Sequence, residues 1–282
     1  MGTYFYQPAF ETKEAALKAR EFMKDHKDVF WQVLKPVLPF IIGGRLLDIF
    51  LIHLIWGAGS QNEIFIGSLI SAYFTFVMMI NWHRVVLHGP DQYIPMNPFQ
   101  PKKSELAFML MPSIVGLVAG IGIGLLSALT AKILGEGVAV MVAVPLVIVL
   151  LYVLFKMVFY LPAKALGADV GLRQALSLSD GYVWKCIGAG FRAVIRVTLV
   201  TMAYGFVGVF IIGIIMVATG TIGPNGTGVG LEDKLIAFLV MLPITAYFMP
   251  LSTLLGVTVV SNYYQHAMQN RGYKKVPDTG TM

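Results

Sequence analysis

Residues 137–161 read GVAVMVAVPLVIVLLYVLFKMVFYL, a run in which Lys156 is the only charged residue. A helix needs about 20 mostly apolar residues to cross the hydrocarbon core of a bilayer. A helix that is apolar on every side is a buried or membrane element, so this run predicts a transmembrane helix. Outward from it, comparable runs occupy 37–56, 64–82, 106–131, 192–218 and 235–260. The 282-residue chain is 57% hydrophobic and 13% charged, with a mean hydropathy of +0.74, the composition of a membrane protein. The expected fold is all-α and polytopic, with six transmembrane helices. A segment 1–30 precedes a transmembrane domain 31–264, and a tail 265–282 follows it.

Charge placement predicts orientation. Lys13, Lys18, Arg20, Lys24, Lys27 and Lys35 precede the first run, and Arg84, Lys102, Lys103, Lys164, Arg173 and Lys185 fall in alternate connections. The intervening connections 57–63, 134–137 and 219–233 contain no Lys or Arg. By the positive-inside bias both termini are expected in the cytoplasm. The net charge of +6 is spread over loops beside the membrane, so no nucleic-acid partner is expected. The single cysteine, Cys186, precludes an intrachain disulfide. The leading segment 1–35 is polar and charged rather than a cleavable signal.

Within that leading segment, residues 11–28 (ETKEAALKAREFMKDHKD) place apolar residues among charges at broken helical spacing. An amphipathic helix on the cytoplasmic surface, or docked on a partner, is expected there. The proline-rich stretch 88–103 reads as an irregular loop, and 219–230 as a turn-forming segment whose Asn225-Gly226-Thr227 matches a glycosylation acceptor only by chance. Three boundaries, NWHRVVLHG from Asn81, KMVFYLPAKALG from Lys156 and SNYYQHAMQNR from Ser261, each gather aromatic and polar residues. They read either as three repeated hairpins or as ordinary interfacial composition.

Inside the first run lie Arg45 and Asp48. Arg45 stands ten residues beyond Lys35, about 15 Å deeper along a helix. Asp48 follows at i+3 on the same face, so an intramembrane ion pair is expected. Such a pair offsets an insertion cost of about 2.5 to 3.5 kcal/mol per charge. It reads either as a relay or polar substrate site, or as a structural pair that fixes helix packing. Lys156, Lys164, Arg192 and Arg196 gather near the cytoplasmic ends of the fourth and fifth runs. They form a candidate lipid-phosphate cluster, with snorkelling side chains as the plainer reading. Gly116, Gly120 and Gly124 recur every fourth residue, a spacing that lets another helix approach closely. Pro243 and Pro250 predict a bend in the last run, with Thr245, Tyr247, Ser252 and Thr253 near the freed carbonyls. No metal-ligand spacing, nucleophile elbow, phosphate loop or paired carboxylate occurs in the sequence, so no metal, cofactor or enzymatic activity is expected.

Two stretches, WHRVVLHG (82–89) and LPAKALGADVGLRQALSLSDGYVWK (161–185), resemble bacterial six-helix inner-membrane proteins, mostly of unknown function, related to the membrane domain attached to some glycerophosphodiester phosphodiesterases. The likeness rests on Leu161, Pro162, Ala163, Gly167, Ala175, Leu178, Gly181 and Trp184. It implies the six-span layout and a multi-pass protein of the bacterial cytoplasmic membrane. The phosphodiesterase catalytic domain has no counterpart in this sequence, so no activity comes with the likeness. The sequence thus leads to a non-enzymatic accessory or scaffolding subunit of a larger membrane assembly, with membrane phospholipid and other integral membrane subunits as partners. The alternative is a small-molecule or lipid transporter, or lipid-binding protein, using Arg45, Asp48 and the basic cluster.

Overall fold

The computed structural model describes residues 8–56, 65–168, 170–219 and 231–271. Among these the regular structure is all helical, with six helices or helix runs long and apolar enough to cross a membrane. The Asn225-Gly226-Thr227 match and the tail beyond 271 lie outside the described residues. The chain divides into two units, one made of His83–Ala189 with the two terminal segments, the other of Ala16–Trp82 and Gly190–Thr258.

In the second unit, α1 (Thr12–Asp25), which begins in the first unit, breaks at His26 and resumes as α2 (Lys27–Leu34). Its buried positions Ala15, Ala16, Ala19, Phe22 and Met23 follow the i, i+1, i+4, i+7, i+8 spacing of one helical face. The amphipathic helix expected at 11–28 is therefore present, with its apolar face buried within the protein. Next come α3 (Leu38–Trp56) and α4 (Ile66–His88), the latter ending in the first unit. They are antiparallel: Phe40 stacks on Phe74 at 4.1 Å, and Gly44 lies against Gly67. A Cβ at Gly67 would run into the Gly44 carbonyl, and one at Gly44 would come within 2.5 Å of Ser71 Oγ, so only glycine admits this backbone approach. Ser71 completes the seam by donating to the Ile41 carbonyl at 2.9 Å.

The same unit holds most of α9 (Val183–Ala218), then α10 (Leu231–Pro243) and the start of α11 (Met249–Asn270). Between α10 and α11, Ile244–Phe248 forms a π-helical turn. Pro243 and Pro250 each lack the N–H that would continue the α ladder, which accounts for the widened turn where a bend was expected.

In the first unit, α5 (Lys103–Leu134) and α6 (Glu136–Met157) form a hairpin turned by Gly135 alone, at φ +92°, a conformation L side chains rarely adopt. Glu105 accepts from the Lys102 N–H at 2.6 Å and so closes the first turn of α5. The short helices α7 (Tyr160–Ala165) and α8 (Leu172–Leu178) pack beside this hairpin. Helices α4, α9 and α11 run well past the apolar runs read from the sequence, because hydropathy marks only the greasy part of a helix. Their extensions carry buried polar residues such as His83, Ser261 and Asn262.

Candidate functional site

Arg45 and Asp48 do share a face of α3, yet they meet through a third residue. Asp48, 7% exposed, accepts from the Gly67 N–H at 2.6 Å and from Ser68 Oγ–H at 2.7 Å. Arg45 donates to that same Ser68 Oγ at 3.0 Å, while its own side chain is exposed. Expected as a direct ion pair facing the interior, the two are instead a relay through one hydroxyl, with only the carboxylate turned inward. Gly67 and Ser68 lie in the first turn of α4, whose leading N–H groups have no helical partner. Asp48 thus caps a neighbouring helix, where a negative charge also meets the positive end of the helix dipole. A carboxylate placed this way locks α3 to α4. His53, further along α3, is half-buried.

The basic residues divide between the units. In the first, Lys156 pairs with Asp180 at 2.7 Å and lies 5.7 Å from the Tyr152 ring. Lys164 donates to the Ala168 carbonyl at 3.3 Å and lies 5.4 Å from the Tyr160 ring. In the second, the Arg20 side chain donates to the backbone carbonyls of Arg192 and Ala193, which brings α1 onto α9 beside Arg192 and Arg196. The glycines Gly116, Gly120 and Gly124 were expected to seat another helix. Among the described residues no helix is seated on them, since a Cβ at any of them would meet nothing within 4 Å.

The three polar boundaries come together in the first unit. Arg84, from the first, donates to Glu105 at 2.6 Å, to the Ala165 carbonyl of the second at 2.8 Å, and to the Ile94 carbonyl at 3.0 Å. His83 shares a 2.7 Å hydrogen bond with Ser261 of the third. Asn262 accepts from the Ala9 N–H at 2.7 Å and donates to the Ala9 carbonyl at 2.8 Å. Beside it Gln265 is 1% exposed, and its amide has no hydrogen-bond partner among the described residues.

The second unit carries a cleft of about 320 Å³. Arg20, Lys24 and Lys27 line it together with the apolar Met23, Phe30, Leu251 and Leu255. Trp31 and Tyr247 complete it, stacked at 5.9 Å, with Phe30 edge-on to Tyr247 at 6.2 Å. Tyr247 belongs to the π turn, a device frequent at functional sites. The sequence reading missed this cleft, although Arg20, Lys24 and Lys27 at i, i+4 and i+7 were a usable signal, as was an aromatic between two prolines. No family model, curated protein or solved structure matches this chain.

Proposed function

We propose that this chain is a non-enzymatic subunit of a larger membrane assembly, with both termini on the cytoplasmic side of a bacterial inner membrane. The observation that carries the reading is the glycine stripe of α5. Gly116, Gly120, Gly122 and Gly124 stand inside a helix, and a Cβ at any of them would meet nothing within 4 Å among the described residues. Each costs the helix about 1 kcal/mol against alanine, and lipid gains nothing from a bare backbone. A helix of another protein does gain, since it can approach closely there. The spans also leave much apolar surface to be covered. Only 12% of the apolar window of α5, 11% of the fourth span and 6% of each of the last two are buried by the chain itself. The positive residues around the spans support the orientation. The likeness of 82–89 and 161–185 to bacterial six-helix proteins gains support from Arg84, whose bond to the Ala165 carbonyl joins the two stretches.

The test is extraction from the native membrane in mild detergent, with identification of what accompanies the wild-type chain and Gly120→Ile. A stoichiometric companion held by the wild type and lost by the variant, at unchanged thermal stability, is the expected result. A lone chain or homo-oligomer, or a companion retained equally by Gly120→Ile, would overturn the proposal.

A further inference from the structure

The cleft between α1–α2 and the π turn has the makings of a site for an amphiphile with an anionic head. Its cations all come from α1 and α2. Arg20, Lys24 and Lys27 line it, and among the described residues none of them has an acidic side chain at salt-bridge distance. Burial, and then the charge of Arg196, push the Arg20 guanidinium below its ordinary value. Like charges held together without a counterion favour an anion between them. The rest of the lining is apolar and aromatic. Trp31 and Tyr247 form a stacked pair, and Leu251 and the buried Leu255 continue the surface along α11.

Depth fits the same ligand. Trp31 stands seven residues before Leu38, where the first candidate span begins. Leu251 and Leu255 belong to the last candidate span. The cleft thus runs from a charged surface helix onto the flank of an apolar one, the level at which tryptophan, tyrosine and basic side chains meet lipid headgroups. A soluble anion would use the cations and leave the aromatic pair and the leucines unused.

We propose that this cleft binds the phosphate of an anionic phospholipid. Lys24 and Lys27 hold the headgroup beside the positive charge of Arg20, whose guanidinium is also bonded to the Arg192 and Ala193 carbonyls, and Trp31, Tyr247 and Leu251 lie along the glycerol and upper acyl chain. The site stands independently of the subunit reading, which rests on α5. It also differs from the cluster expected at Lys156, Lys164, Arg192 and Arg196, whose two lysines already have partners within the chain.

The experiment adds dioleoyl phosphatidylglycerol, dioleoyl phosphatidylcholine or inorganic phosphate to the delipidated full chain in detergent and follows binding by native mass spectrometry. Phosphatidylglycerol should bind at least tenfold more tightly than phosphatidylcholine, because only the first is a net anion. Lys24→Gln/Lys27→Gln, at two exposed positions, should weaken it about 30-fold while leaving the melting temperature unchanged. Tyr247→Leu should weaken it with both lysines in place. Equal retention of phosphatidylglycerol by the lysine variant would overturn the proposal, as would equal binding of the two lipids or no effect of Tyr247→Leu. Displacement of the lipid by millimolar inorganic phosphate would overturn the lipid assignment in favour of a free anion.

Discussion

Arg84 holds one end of the first unit together, and replacing it with methionine measures how much depends on it. Its guanidinium bonds Glu105 and the carbonyls of Ala165 and Ile94 at 2.6, 2.8 and 3.0 Å. The side chains of Arg84 and Glu105 are 13% and 3% exposed. Removing one partner of a buried pair costs about 3–5 kcal/mol, since a carboxylate is left buried without its counter-charge. Here the lower end applies, because Glu105 keeps the Lys102 N–H at 2.6 Å and Arg84 is not fully enclosed. A loss of about 3 kcal/mol corresponds to a fall of about 6–12 °C in melting temperature for a chain of this size. The protein carries its own reporter. Cys186 is its single cysteine and is buried, so a thiol-reactive dye labels the chain only as it unfolds. Arg84→Met/Glu105→Met removes both charges and should recover at least half of the loss. A midpoint for Arg84→Met within about 2 °C of wild type, or a double variant no better than the single, would refute the reasoning.

The same dye assay checks three further expectations. Asp48→Ala should cost about 2 kcal/mol by stripping the first turn of α4 of its cap, and Asp48→Asn about half of that, since it keeps one acceptor oxygen; equal effects of the two would point away from capping. Gly67→Ala drives a methyl into the Gly44 carbonyl and should cost up to about 3 kcal/mol, whereas Gly43→Ala, which meets nothing within 4 Å, should gain up to about 1 kcal/mol, as alanine does over glycine inside a helix. Gln265→Met should raise the midpoint, by about 1 kcal/mol of stability, because it removes a buried amide that has no hydrogen-bond partner among the described residues; a clear fall would show that the amide is satisfied.

The six helical runs were legible because hydropathy is a one-dimensional property of the chain. Their contacts are not. The i+3 spacing of Arg45 and Asp48 put both on one face, but Gly67 and Ser68, which supply their hydrogen bonds, come from the next helix, and no local pattern names them. Glycine spacing left the partner open in a similar way. A Cβ on the regular stripe of α5 would meet nothing within 4 Å among the described residues, whereas the irregular pair Gly44 and Gly67 brings two backbones together. Small residues permit contact without choosing its partner. The polar boundaries were visible as three similar stretches, readable as repeated hairpins or as interfacial composition, and chain position could not tell that they meet; the bonds of Arg84 and His83 show that they do. For the cleft, the basic spacing on α1 and α2 lay in plain sight, but Tyr247 stands more than two hundred residues from Trp31, and only the folded chain joins them.

The clasp between Ala9 and Asn262 spans 253 residues of sequence. During synthesis Ala9 leaves the ribosome long before Asn262, so this contact closes only after the apolar helices between them have been made. A chain that stops short of Asn262 therefore leaves the Ala9 backbone without these two bonds, whereas one that reaches it buries Ala9, at 3% exposure.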